Sequence, residues 1–165
     1  MAFWKLYYHL VWGTKNKQPL ITPKTEPRLY SFLVTRAAEM GLFVYQVNGW
    51  LDHVHLILAI PPKHAVSAVV KILKGSSSHY MNAHGLSDEY FAWQRGYGAL
   101  SLGEKQRPFA EAYVINQKQH HEQQTTNSWL ERLADYDEGP VELTKTSGLL
   151  REPSVIYEVG DDFPF

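Results

Sequence analysis

The stretch LFVYQVNGWLDHVHLILAI, residues 42–60, holds two apolar runs rich in β-branched and aromatic side chains, with Asn48-Gly49 between them. Asn-Gly is the strongest short-range hairpin cue, because both residues accept the positive φ that a two-residue turn needs. Two antiparallel strands joined at that pair are therefore expected, with Pro61-Pro62 ending the second. Alternation along the second strand puts Val54, Leu56, Leu58 and Ile60 on one face and His53 and His55 on the other. One face is thus committed to a core, and two imidazoles stand side by side opposite it.

Working outward, FWKLYYHLVW (residues 3–12) reads as a strand ending near Gly13, and the turn chemistry of residues 13–23 follows it. From Lys24, the spacing of Leu29, Phe32, Leu33, Arg36, Ala37 and Met40 predicts a helix, with Gly41 at its C′ position. A second helix is expected from about His64 to Ala83, with Val66, Val69, Val70, Ile72, Leu73 and Tyr80 on its apolar side and Gly85 at its end. EYFAWQRGYGALSL, residues 89–102, predicts a fourth strand interrupted by Gly96 and Gly98, and residues 107–124 one last helix with Pro108 in its first turn.

The order β-α-β-β-α-β predicts an α+β fold: an antiparallel sheet in the ferredoxin-like or RRM-like split βαβ order, both helices on one face, and an additional C-terminal helix. Residues 1–124 form the expected domain, and residues 125–165 an acidic extension that is not a separate domain. Within that extension Trp129, Leu130 and Leu133 suit a short helical continuation, and Ser154-Val155-Ile156-Tyr157 a short strand.

At 165 residues, 44% hydrophobic and 13% aromatic, the chain can bury one core. It has no cysteine, which excludes disulfides, zinc–thiolate clusters and a thiol nucleophile, so any nucleophile is oxygen or nitrogen. Lys5 and His9 interrupt the N-terminal apolar run, unlike a secretory signal, and no run approaches the ~20 apolar residues of a membrane span. A cytoplasmic location is expected. The net charge of −1 conceals an asymmetry: residues 1–124 hold 13 Lys/Arg against 8 Asp/Glu, and residues 125–165 hold 3 against 9. A mildly basic body is compatible with a polyanionic partner.

Two imidazoles one residue apart on a strand can share a divalent cation, although an isolated His-x-His is more often an ordinary half-exposed pair. On the last helix Tyr113 and Gln117, at i and i+4, share a face with Phe109, His120 and Gln124. His120, on the tyrosine stripe, suits a further metal ligand or a general acid/base.

Several correctly ordered segments resemble the HUH single-tyrosine transposases of small bacterial insertion sequences, including the REP-associated tyrosine transposases. They are YYHLVWGTKNKQPLI (7–21), DHVHLIL (52–58), LKGSSSHYM (73–81), WQRGYGALSLG (93–103) and AYVINQ (112–117), within about residues 4–124. The resemblance implies that His53, His55 and Gln117 hold a divalent metal, Mg²⁺ or Mn²⁺, and that Tyr113 is the catalytic nucleophile. It further implies cleavage and rejoining of single-stranded DNA, expected as hairpin ends, through a 5′-phosphotyrosine intermediate. A homodimer is implied too, in which the tyrosine helix of one subunit can serve the histidine strand of the other.

Lys71, Lys74, Arg95 and Lys105 are the DNA-binding candidates, while Trp93 and Tyr97 are assigned to core or interface. The acidic extension departs from a minimal family domain, and two roles suit it: covering the DNA face or regulating it. Three rival readings compete: a domesticated hairpin-DNA-binding protein of the same fold, an RRM-like RNA-binding module, and a small metallohydrolase using the HVH pair and His120. The RNP aromatic pattern required by the second is missing.

Overall fold

The computed structural model describes residues 2–133. Four strands, β1 (Tyr7–Gly13), β2 (Phe43–Trp50), β3 (His53–Ala59) and β4 (Gly98–Leu102), alternate with α1 (Glu26–Glu39) and α2 (Val66–Ala83) and are followed by α3 (Arg107–Ile115) and α4 (Gln117–Glu122). The sheet order is β2-β3-β1-β4, with every pair antiparallel. This is the expected α+β split βαβ arrangement.

Its layers follow from the alternation in β1 and β3. Leu10, Trp12, Val54, Leu56 and Leu58 enter one apolar cluster with Leu29, Leu33 and Ala37 of α1 and Val69, Val70, Leu73 and Met81 of α2. Ile57, on the opposite face, packs with Ala110 and Val114 of α3, flanked by Tyr45, Leu102 and Tyr113. Each fully buried Leu or Ile is worth about 1.5–3 kcal/mol of transfer free energy, so the α1/α2 side carries most of the stability. The smaller α3 layer sets where the tyrosine stands. No described helix is long and apolar enough to cross a membrane.

Five local expectations are corrected. The hairpin turns at Leu51-Asp52, three residues later than the Asn-Gly signal, because the register pairs Asn48 with His55, Gly49 with Val54 and Trp50 with His53. Gly49 is inside the ladder for want of space: a Cβ there would lie 2.2 Å from the His53 carbonyl oxygen. Asn48 meanwhile donates to the Ile115 carbonyl and accepts from Lys118 Nζ, tying β2 to the C-terminal helices.

The first strand begins at Tyr7, leaving Phe3 exposed. The fourth is only Gly98–Leu102. Upstream of it, side chains satisfy the main chain in place of a ladder: Asn82 exchanges two hydrogen bonds with Phe91, and Lys74 Nζ donates to the carbonyls of Gln94 and Gly96.

The last helix is two helices. Asn116 donates its side-chain amide to the Ala112 carbonyl, competing with the helical ladder, and its backbone leaves helical geometry at φ −91°, ψ 16°. Gln124, at φ 56°, reverses the chain after α4. Ser128–Glu131 is then a turn and not a helical continuation through Trp129, Leu130 and Leu133. The strand expected at residues 154–157 lies outside the described residues.

Candidate metal and nucleophile site

β3 carries His53 and His55 on the face away from the main core, and both are buried. Each imidazole is oriented through its Nδ1. His53 Nδ1 donates to Asp52 Oδ1 at 2.7 Å, and His55 Nδ1 shares a proton with His9 Nε2 at 2.7 Å. This leaves the two Nε2 atoms facing a common point, a pattern in which outer partners fix the tautomer of metal-binding histidines. At that point stands Glu131: its Oε2 is 3.1 Å from His53 Nε2 and 3.0 Å from His55 Nε2.

The other carboxylate oxygen faces the C-terminal helices. Glu131 Oε1 accepts from the Tyr113 hydroxyl at 2.6 Å and from Gln117 Nε2 at 2.6 Å. The Tyr113 oxygen also accepts from the Asn127 backbone N–H at 2.9 Å. Gln117 opens α4 and is fully buried, and its Oε1 has no hydrogen-bond partner among the described residues. The break at Asn116 keeps Tyr113 and Gln117 one turn apart on a single face, so both side chains reach the same carboxylate.

Among the described residues, ligand atoms of His53, His55 and Glu131 lie within 4.8 Å of one another. Two imidazole nitrogens, a carboxylate and an unpaired buried amide oxygen form a mixed N/O set that suits a divalent cation. This donor chemistry, together with the orphan oxygen of Gln117, fits such an ion.

The electrostatics follow from the same contacts. Burial acts to lower the pKa of His53, but the hydrogen bonds to Asp52 and Glu131 outweigh it and raise the group to about 9. Burial opposes ionisation of Glu131, yet bonding to His53 and His55 holds it well below the carboxylate range. His55 is lowered by burial. The Tyr113 phenol is raised, first by burial and then by donating to the Glu131 carboxylate. A phenol in this setting does not ionise unaided near neutral pH.

His9 is lowered to about 3 by burial, with the neighbouring His55 adding to the effect. It is therefore neutral in the fold and protonates near 6.5 when unfolded. Above that value neither state takes up the proton; below it the unfolded chain gains one, and stability falls by about 1.4 kcal/mol per pH unit until the folded pKa is reached. His9→Gln is expected to flatten the decline between about pH 6.5 and 4.5 by roughly that slope, measured as urea-unfolding free energy at stepped pH. An unchanged slope would show that His9 is not the group responsible.

His53, His55, Tyr113 and Gln117 thus converge within one chain. His120 does not join the imidazole pair: it stacks on the Tyr113 ring at 4.6 Å and meets Thr125 Oγ1. Its neighbour His121 reaches the pair instead, with Nε2 3.2 Å from His53 Nε2 and its ring stacked on Trp50.

Lys71 and Lys74 line a cavity of about 300 Å³ with Ser67, Val70, Gly96 and Tyr97, and exposed Arg95 adjoins it. Lys105 lies apart, on the connection between β4 and α3. Trp93 belongs to the core side, donating to Ser77 Oγ and packing edge-on against Trp12.

Sequence reasoning missed Glu131, Asp52, His9 and His121. A polar residue on the His55 face of an apolar β1 was a usable sign for His9. Glu131 gave none, being one acidic residue in an acidic stretch.

The chain matches the family described as "Transposase IS200 like" over residues 2–117. It is 30% identical over 119 residues to the ISDra2 transposase TnpA of Deinococcus radiodurans, covering 69% of this chain and 85% of that protein. It is 29% identical over 105 residues to the transposase for insertion sequence element IS200 of Salmonella typhimurium, covering 61% of this chain and 69% of the relative.

Among solved structures, a transposase from Deinococcus radiodurans R1 superposes with a TM-score of 0.57 at 30% identity, over 70% of this chain and 93% of the other. A REP-associated tyrosine transposase bound to a REP hairpin superposes with a TM-score of 0.56, over 73% and 74% of the two chains. At 14% identity, the second likeness shows the fold alone.

Proposed function

We propose a chemistry for a chain that belongs to the IS200-like transposase family: metal-dependent cleavage and rejoining of single-stranded DNA, with Tyr113 as nucleophile, in the service of transposition. The observation that carries the reading is the meeting of the Tyr113 hydroxyl, the Gln117 amide and both Nε2 atoms of His53 and His55 around one carboxylate, all within 3.1 Å of it.

His53, His55 and Gln117 are the protein ligands in this reading, the last through its unpaired Oε1 once the amide is turned. A bound Mg²⁺ or Mn²⁺ would polarise the scissile phosphate and orient it for in-line attack. Tyr113 Oη bonds to phosphorus while the bond from phosphorus to the 3′ oxygen breaks, giving a 5′-phosphotyrosine and a free 3′-hydroxyl. The phenolic proton already points at Glu131, and the His120 ring stacked on Tyr113 limits the rotation of the phenol. Attack of a different 3′-hydroxyl on the phosphotyrosine reverses the step and joins new strands without hydrolysis.

Single-stranded DNA folded as a hairpin is the proposed substrate and a homodimer the proposed assembly. Lys71, Arg95 and Lys105 are the proposed phosphate contacts. Lys74 acts first as a strap, since its ammonium already holds two carbonyls of the segment before β4. The test is to incubate the full chain with labelled hairpin oligonucleotides from its own genomic flanks, in Mn²⁺ or in chelator, and resolve the products under denaturing conditions. A denaturation-resistant protein–DNA adduct is expected in Mn²⁺, lost in chelator and recovered on adding Mn²⁺ back. Metal-dependent cutting without any adduct would mean hydrolysis, and binding without cutting would favour the domesticated hairpin binder.

A further inference from the structure

Glu131 comes from the segment that follows the matched family region, which ends at residue 117, yet its carboxylate stands at the centre of the site. We infer that Glu131 is a further protein ligand of the divalent ion and the residue that positions Tyr113 against it, within the same chain. The inference rests on the metal-dependent reading above.

Spacing supports it first. A group seated in the ion's own place would lie about 2.1 Å from each nitrogen, whereas adjacent ligands of an octahedral ion with bonds of that length lie about 3.0 Å apart. Glu131 Oε2 is 3.0 and 3.1 Å from the two Nε2 atoms, a hydrogen-bonded separation at which neighbouring ligands of one ion also stand, and ligand atoms of the three residues lie within 4.8 Å of one another.

The orientation of the donors supports it next. His53 Nδ1 is taken by Asp52, which leaves Nε2 as the atom that faces the Glu131 carboxylate. The buried, unpaired Oε1 of Gln117 supplies one more electron-pair donor beside the same carboxylate and favours the metal.

The second carboxylate oxygen then explains the nucleophile's place. Oε1 receives the Tyr113 hydroxyl and the Gln117 amide while Oε2 faces the histidines, so one side chain links the tyrosine of α3 to the imidazoles of β3 without a second subunit. The loop presenting Glu131 is fixed by its own bonds: the Leu130 and Glu131 amides donate to the Asn127 carbonyl, and the Asn127 amide donates to Tyr113.

The test is Mn²⁺ binding, read by loss of the free-ion electron paramagnetic resonance signal, on the full-length chain and on Glu131→Gln, Glu131→Ala, Tyr113→Phe and His53→Ala. Glu131 bonds to His53, His55, Tyr113 and Gln117, so metal-free melting is taken on the same samples and Mn²⁺ affinities are compared at a temperature where every variant is folded. Glu131→Gln keeps a side chain of the same shape amid those contacts. Both Glu131 variants are expected to bind Mn²⁺ roughly 10- to 100-fold more weakly, while Tyr113→Phe keeps its affinity. Equal or tighter binding by Glu131→Gln would overturn the inference and make the carboxylate a stopper that the ion displaces. Binding that is insensitive to His53→Ala would instead sink the metal reading beneath it.

Discussion

Tyr113→Phe is expected to abolish the covalent protein–DNA adduct, a loss of at least ~10³-fold in strand transfer, because no other described side chain shares its position. Its hydroxyl lies 2.6 Å from the carboxylate that faces both imidazoles, and its ring centroid is 6.3 Å from that of His55. Phenylalanine preserves the ring that packs beside Ile57, Ala110 and Val114 and stacks on His120, so the fold should persist. The structural cost is confined to two hydrogen bonds of the hydroxyl, about 1 kcal/mol each, and one of these leaves Asn127 N–H in an exposed turn.

This substitution therefore separates a missing nucleophile from a damaged site. A melting temperature near that of the unchanged chain, unchanged hairpin binding and no adduct on a denaturing gel would place the covalent bond on Tyr113. An adduct of undiminished yield would remove Tyr113 from the mechanism. Cutting without adduct, at the original rate, would point to activated water.

The sheet and the faces of its strands were legible because burial is periodic. Val54, Leu56 and Leu58 alternate with His53 and His55, and a one-residue slip would turn every one of these side chains to the wrong face. Pairing Tyr113 with Gln117 needed only helical spacing, which survives the break at Asn116. Where the sequence misled, a side chain or an adjoining strand had taken over the part played by local propensity. Asn48-Gly49 reads as a turn in isolation, but Asn48 is used by α3 and α4, and Gly49 by the backbone of β3. The run at residues 89–97 is aromatic enough for a strand, but Asn82 and Lys74 of α2 satisfy several of its main-chain groups.

The residues surrounding the histidines were harder to read for a different reason. His9 meets His55 only because β1 and β3 pair in one register, and Glu131 arrives by a chain reversal at Gln124, whose positive φ belongs to a residue type that does not announce it. Long-range convergence leaves no periodic trace. The histidine pair could thus be anticipated, while the carboxylate that faces it, the aspartate that orients one histidine and the second histidine that orients the other could not.

Gly49→Ala is expected to be strongly damaging, and the reason joins stability to the site. The added methyl would lie 2.2 Å from the His53 carbonyl oxygen and 2.9 Å from Val54 Cα, and both are backbone atoms of the strand that carries the two histidines. No side chain can rotate away to relieve the contact, so β2 and β3 must separate, at a cost of about 3 kcal/mol or more. For a chain of this size that corresponds to a fall of roughly 10 °C in Tm.

Displacing the His53 backbone also moves its Nε2 relative to His55, so Mn²⁺ affinity should fall even in the fraction that folds. Gly75→Ala supplies the opposite sign. Gly75 is exposed within α2 and nothing lies within 4 Å of its added Cβ, so the gain in helix propensity should stabilise the chain by about 0.5–1 kcal/mol. Thermal melts of the two variants should therefore move in opposite directions from the unchanged chain. A Gly49→Ala protein that melts and binds Mn²⁺ as the unchanged chain does would show that β2 and β3 are not held at this distance, and that the spacing of the two imidazoles does not depend on it.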